Sequence, residues 1–127
     1  MAAVSRRRLL LASLAALGCG SRKGTRFPGY AFVANAAGNS VTAIDLSAFS
    51  LAHHFALGAS PTAVLPHPSQ PLVYVLTAAT GAIHEIDARR MRIARRAQLS
   101  GPAISMRMAP DNTTLWVLEA RALVRLP

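Results

Sequence analysis

Histidines and acids are the side chains of this chain that could carry acid–base or metal chemistry; there are four His and five Asp or Glu. No pair of histidines has the spacing of a helical zinc motif. The adjacent His53 and His54 would point to opposite faces of an extended strand. His67 lies in a proline-rich loop, where a side chain can face a ligand, and is our candidate ligand-loop residue. The pattern predicts no metal site and no cofactor, and it assigns no catalytic residue.

Two aspartates recur in the same local sequence, because the dipeptide Ile-Asp ends at Asp45 and again at Asp87. Such residues could contribute to a ring of carboxylates, but an aspartate after a strand commonly caps the backbone of the next turn. Their repetition favours the capping role. Glu85 lies within a predicted strand, so its carboxylate must be paired or reach the surface. Arg107 and Arg121 are candidate partners.

The positive charge of the chain is concentrated at its start. The formal net charge is +9, from 14 Lys or Arg against 5 Asp or Glu, and six of those cations precede residue 27. The densest basic run of the remainder, residues 89–96, contains no aromatic residue. A nucleic-acid surface would combine cations with aromatic residues, so we predict no nucleic-acid partner. We interpret the run as a solvated face, with contact to anionic lipid or polymer as the alternative.

Residues 1–18 predict an export signal. Three arginines, Arg6, Arg7 and Arg8, precede an apolar run from Leu9 to Leu17 that is too short to cross a bilayer. The order of a serine, the Arg6-Arg7 pair, one further residue and two leucines resembles the twin-arginine export motif. That route implies folding before export, and a general secretory signal is the alternative.

Cys19, the only thiol, directly follows the apolar run. A lone cysteine excludes an intrachain disulfide and a multi-cysteine zinc site. Ala16-Leu17-Gly18-Cys19 resembles a bacterial lipoprotein box, in which the cysteine is lipidated, although Ala16 stands where that box usually has Leu. Ordinary cleavage after Gly18 is the alternative. Residues 19–29 would then form a polar tether, and we expect an exported bacterial protein, periplasmic or anchored to a membrane through Cys19.

Beyond this tether the sequence repeats with a period of about 42 residues, a length typical of propeller blades and of some helical repeats. The same interval separates Pro68 from Pro110, Ile44-Asp45 from Ile86-Asp87, and Tyr74-Val75-Leu76 from Trp116-Val117-Leu118. The segment that begins at Tyr30 precedes the one at Tyr74 by nearly the same interval, which places Tyr30, Tyr74 and Trp116 at one repeat position.

Local composition distinguishes strands from helices in these repeats. The segments around Tyr30, Leu72 and Thr114 are rich in β-branched and aromatic residues and are bounded by Gly, Pro, Asn or Ser. Four prolines between residues 61 and 71 would break any helix there. Gly38 and Gly81 lie in hairpin turn sequences. The sequence therefore predicts an all-β protein whose repeat unit is four short antiparallel strands.

The first repeat resembles a known family. Tyr30-Ala-Phe-Val-Ala-Asn35, followed by Gly38-Asn-Ser-Val41 and then Ile44-Asp45, resembles the YVTN-family β-propeller repeat. The step from Gly58 to Pro61 and the turn Pro110-Asp111-Asn112 are similar to later landmarks of that repeat. The resemblance implies a fold of the lactonase-like, seven-bladed propeller type. It implies no single activity, because such folds support many functions.

We predict a partial β-propeller of about two and a half four-stranded blades. The first blade, residues 30–60, lacks an inner strand; the second, 61–101, is complete; the third, 102–127, lacks an outer strand. Propellers contain about four to eight blades. We therefore expect the remaining blades to come from a longer chain, of which this is an N-terminal fragment, or alternatively from other copies.

No combination of residues in this sequence is typical of a catalytic site, which favours a binding or scaffold module for an unknown ligand over an enzyme. A lactonase-like hydrolase of the phosphogluconolactonase type is the alternative, with catalytic residues on blades outside this sequence. A quinone-linked redox propeller is a third, weaker hypothesis.

Overall fold

The computed structural model describes residues 27–127. The predicted signal peptide, including Arg6 and Arg7, and the predicted lipidation site Cys19 lie outside the described residues. Within residues 27–127 the chain forms ten strands and one short 3-10 helix (Ala78–Thr80). The strands are β1 (Tyr30–Asn35), β2 (Ser40–Asp45), β3 (Ser50–Ala56), β4 (Ala63–Pro66), β5 (Leu72–Thr77), β6 (Ala82–Asp87), β7 (Arg92–Gln98), β8 (Ala103–Met108), β9 (Leu115–Glu119) and β10 (Leu123–Leu126).

The ten strands form three antiparallel sheets, each a propeller blade. Blade 1 contains β1 to β3, blade 2 contains β4 to β7, and blade 3 contains β8 to β10. The predicted fold class, an all-β partial propeller of about two and a half blades, is confirmed. No helix within residues 27–127 has the length and hydropathy needed to span a membrane.

The period of the sequence recurs in the backbone conformation. Asn39, in the turn between β1 and β2, and Gly81, in the equivalent turn between β5 and β6, both adopt left-handed φ angles, of 50° and 60°. Phe49 and Met91, which are also one repeat apart, have φ angles of 50° and 49° before the outer strand. A left-handed φ is rare for such bulky residues. Its recurrence shows that the turn geometry, not the residue type, requires it.

Asp45 and Asp87 cap these outer turns, as the sequence predicts. The Oδ1 atom of each accepts hydrogen bonds from the backbone N–H groups two and three residues later, at 2.7 and 3.1 Å for Asp45 and at 2.9 and 3.0 Å for Asp87. These bonds favour the charged carboxylate. The hydroxyl of Ser47 is the main cause of the lowered pKa of Asp45, and the backbone amide of Arg90 is the main cause of the lowered pKa of Asp87.

The outer strands of blades 1 and 2 each contain a bulge at the same repeat position. In β3 the pairing skips Ala52, because Ala43 pairs with His53 and the next residue of β2 pairs with Leu51. In β7 it skips Ala94 in the same way, one repeat later. The extra residue shifts every following side chain of the outer strand by one position relative to its neighbour.

Two apolar cores lie between successive blades. The buried residues between blades 1 and 2 are Val41, Ala43, Phe55, Leu57, Val73, Val75 and Ile86. Those between blades 2 and 3 are Leu76, Ile83, Leu99, Ala103, Met106, Leu115 and Val117. Blade 2 therefore packs on both faces, which explains why its strands carry apolar residues at successive positions.

The strand register corrects one prediction. Tyr30 and Leu72 each pair with the capping aspartate of their blade. Leu72 is therefore the equivalent of Tyr30, and Phe32 is the equivalent of Tyr74 and Trp116. The prediction that Tyr30 shares their repeat position was wrong by two residues. Pairing with the neighbouring strand of the same blade sets the position, and the similarity of residue types at Tyr30 and Tyr74 does not.

Candidate functional site

A pocket of about 210 Å³ lies between the facing sheets of blades 2 and 3. Its apolar lining consists of Ile83, Ala97, Met108, Leu115, Leu126 and Pro127. Strands from both blades supply these residues, so the pocket exists only because the two sheets pack together. Most of its polar lining comes from blade 2, with Tyr74, Glu85 and Arg95 on the strands, and the turn before β9 adds Asn112 and Thr113 from blade 3.

Tyr74, Glu85 and Arg95 form a row across β5, β6 and β7, since each is paired with the next in the strand register. The Nε and Nη2 atoms of Arg95 donate to the two Glu85 carboxylate oxygens at 3.2 and 2.8 Å. This bidentate bond also raises the pKa of Arg95. Glu85 is thus paired, as predicted, but the candidate partners Arg107 and Arg121 were wrong.

Tyr74 places its phenol beside this ion pair. Burial, followed by the negative charge of Glu85, raises the pKa of Tyr74, and the charge of Arg95 opposes that effect only in part. The hydroxyl, which is protonated at neutral pH as in any tyrosine, is available as a hydrogen-bond donor.

His67 borders the pocket, but both of its ring nitrogens are engaged. Nδ1 accepts hydrogen bonds from the backbone N–H groups of Ser69 at 3.1 Å and Gln70 at 3.0 Å. Nε2 lies 3.0 Å from the carbonyl oxygen of Asn112 on blade 3. An imidazole that accepts at Nδ1 and donates at Nε2 is neutral. His67 therefore caps its own loop and ties blade 2 to blade 3.

All five arginines of the basic run at residues 89–96 are exposed, and two of them pair with carboxylates. Arg95 pairs with Glu85, and Arg90 Nη1 lies 3.1 Å from Asp87 Oδ2. Arg89, Arg92 and Arg96 form no ion pair within residues 27–127. The run is therefore largely a solvated surface, and two of its arginines, Arg95 and Arg96, border the pocket. In the described part of the chain, no three His, Cys, Asp or Glu side chains converge in a way that could hold a metal ion.

His84 is a buried imidazole on the opposite face of β6, beside blade 1. It is 4% exposed, and its Nε2 has no hydrogen-bond partner among residues 27–127. Burial, followed by the charge of Arg96 across the strand pair, lowers the pKa of His84. At the equivalent position of blade 1, Thr42 accepts a hydrogen bond from Asn35 at 2.8 Å. Blade 2 has no such donor beside His84. The equivalent of Asn35 there is Thr77, and its hydroxyl donates to the Ala82 carbonyl in its own turn.

We expect this histidine to make stability depend on pH. Its pKa is lower in the folded than in the unfolded chain, so the unfolded chain binds more protons once the pH falls below the ordinary value of 6.5. Stability is therefore full above that pH and declines below it. In urea unfolding at pH 7.5 and 5.0, the wild type should lose more stability than His84→Leu. The capping aspartates do not contribute in this window, because their lowered pKa values act below 3.8. Equal losses in the two proteins would contradict the prediction.

The chain is similar to solved structures at the level of fold. It aligns with hydrazine synthase from Kuenenia stuttgartiensis at a TM-score of 0.63 and 20% identity, over 80% of this chain and 31% of that one. It aligns with Hsv2 from Kluyvelomyces marxianus at a TM-score of 0.47 and 10% identity, over 68% of this chain and 26% of that one. The chain thus spans about a third or less of the length of these structures. No protein-family model and no curated protein sequence matches it.

Proposed function

We propose that the protein is an exported β-propeller of the bacterial cell envelope, of the YVTN type, that acts as a binding or scaffold module. The leader with Arg6 and Arg7, the cysteine that follows it and the repeat sequence support export and family. The propeller fold supports the binding role, because rings of blades present loops and interblade pockets on a rigid frame.

One observation carries the scaffold part of the proposal. Leu76 and Ile83 on blade 2 are 0% and 3% exposed, because blade 3 covers them. Their equivalents on blade 3, Leu118 and Leu123, are paired with each other in the same way but are 42% and 61% exposed. An apolar surface of this kind is typical of a blade interface that still needs a neighbour. Further blades would cover it and complete the ring.

Cell fractionation tests export. We expect the wild type and Arg8→Lys in the envelope fraction. A double variant, Arg6→Lys with Arg7→Lys, should be retained in the cytoplasm, with export reduced about tenfold or more. Lysine keeps the charge that a general secretory signal needs but lacks the guanidinium, so equal export of all three proteins would contradict the twin-arginine route.

The mass of the exported form tests the scaffold role and the anchor in the same preparation. We expect a particle clearly heavier than the 13.4 kDa of this sequence, and a lipid increment on the peptide that begins at Cys19. A stable single-chain monomer of 13.4 kDa or less would contradict ring completion. Hydrolysis of a lactone by the purified particle would favour the enzyme alternative.

A further inference from the structure

The pocket between blades 2 and 3 has the size of a small ring compound. A dry apolar cavity of about 150 Å³ is large enough to hold benzene. The volume here is about 210 Å³, which leaves room for one aromatic ring and a small substituent. Met108, Leu115 and Ile83 supply apolar walls from both blades, so the ring would contact side chains on two sides.

The polar part of the pocket offers donors. Arg95 uses Nε and Nη2 for Glu85, and its Nη1 makes no hydrogen bond within residues 27–127. Tyr74 lies beside the same ion pair, opposite Glu85 in the strand register, and its hydroxyl is a second donor. Glu85 is the one side-chain carboxylate of the lining, and Arg95 pairs with both of its oxygens. A guanidinium N–H without a protein partner, next to a phenol hydroxyl, fits an acceptor group, and a carboxylate accepts from a guanidinium more strongly than a neutral oxygen does.

The same row of the neighbouring blade shows that this arrangement is not part of the repeat. In blade 1 the equivalents of Tyr74 and Glu85 are Phe32 and Ala43, and the bulged strand places His53 opposite Ala43. Phe32 packs against the apolar core there, with its ring centroid 6.4 Å from that of Phe55. The polar row of blade 2 therefore differs from the same row of blade 1, and it lines the pocket.

We propose that this pocket binds a monocyclic aromatic carboxylate, with the ring between the two blades and the carboxylate on Arg95 and the Tyr74 hydroxyl. The inference rests on the proposed binding function and names its ligand class. Binding in this pocket requires neither export nor lipidation, so a negative binding result would leave those two proposals unaffected.

Benzoate is the probe, and methionine methyl resonances of the purified full-length chain report its position. Met108 lines the pocket, whereas Met91 packs against the core between blades 1 and 2 and serves as the internal control. We expect a saturable shift of the Met108 signal with no shift of Met91. Benzyl alcohol, which has the same ring without the charge, should bind at least tenfold more weakly. No shift at Met108, equal shifts at both methionines, or equal affinity for the two compounds would overturn the proposal.

Two variants on the same outer strand then test the carboxylate contact. Arg95→Gln should weaken benzoate binding about tenfold or more and leave benzyl alcohol binding unchanged. Arg92→Gln removes an exposed arginine that does not line the pocket and should change neither. Tyr74→Phe should weaken benzoate binding by a smaller factor. If Arg95→Gln binds benzoate as the wild type does, Arg95 does not hold the ligand and the proposal fails.

Discussion

Gly81→Ala should destabilise the protein by about 3–5 kcal/mol, because it combines a left-handed φ with a backbone clash. Gly81 has a φ of 60°, and a Cβ atom there would overlap the carbonyl oxygen of Gly101. Gly101 belongs to the connection between blades 2 and 3. The backbone N–H of Leu99 donates to the Gly81 carbonyl at 2.8 Å, so the two segments cannot separate without losing that bond.

A series of glycine variants separates the two causes. A Cβ at Gly101 would have nothing within 4 Å and meets no left-handed φ, so Gly101→Ala should change stability little. Gly58 has a φ of 75° but open space around it, and Gly58→Ala should cost about 1–2 kcal/mol. Gly81→Ala has both defects and should lower the Tm by about 15 °C or more. Thermal unfolding by circular dichroism measures all three. A Gly81→Ala protein as stable as Gly58→Ala would show that the close approach of the two segments is not maintained.

His67→Ala should cost about 2–3 kcal/mol of stability, since it removes two accepted hydrogen bonds and one donated bond. The ring holds its own loop through Ser69 and Gln70 and reaches the Asn112 carbonyl on blade 3. The loop bonds follow the pattern of an aspartate cap, with Nδ1 in the place of a carboxylate oxygen.

His67→Asn separates the two roles of this side chain. An asparagine oxygen can accept the same two N–H groups, but its shorter side chain cannot reach blade 3. We therefore expect His67→Asn to lose only about half as much stability as His67→Ala. His54 is exposed, and His54→Ala should change stability by less than about 0.5 kcal/mol. Chemical denaturation measures all three variants. Equal losses for the two His67 variants would mean that the loop cap contributes nothing.

The sequence was sufficient for the fold because the features that define each blade lie within one repeat. Asp45 and Asp87 each follow an isoleucine and lie one repeat apart. Each caps a turn by accepting from backbone amides only two and three residues away. Because such contacts join residues that are close in the chain, their pattern can be recognised from the sequence alone. The strand positions follow from the same period.

The partner of Glu85 could not be predicted, because it depends on an irregular pairing. In a regular ladder that continued from the pair of Ile86 and Ile93, Glu85 would face Ala94. The bulge skips Ala94 and brings Arg95 opposite Glu85. The sequence carries no marker of that bulge beyond the repeat itself. The hydrogen bond from His67 to Asn112 joins two blades, and residues 45 positions apart give no local signal of contact.

The bulges of the outer strands have a consequence for how this protein can associate with other chains. The last strand of a blade leaves one row of backbone N–H and C=O groups open, and such an edge can recruit a strand from another molecule. In β3 and β7 the extra residue interrupts that row, and exposed arginines, Arg92 and Arg96, flank the break in β7. A foreign strand could not follow this edge without losing its register. The outer edges of blades 1 and 2 are therefore protected against strand addition, whereas β10, the edge strand of blade 3 within residues 27–127, pairs without a bulge and has no such protection.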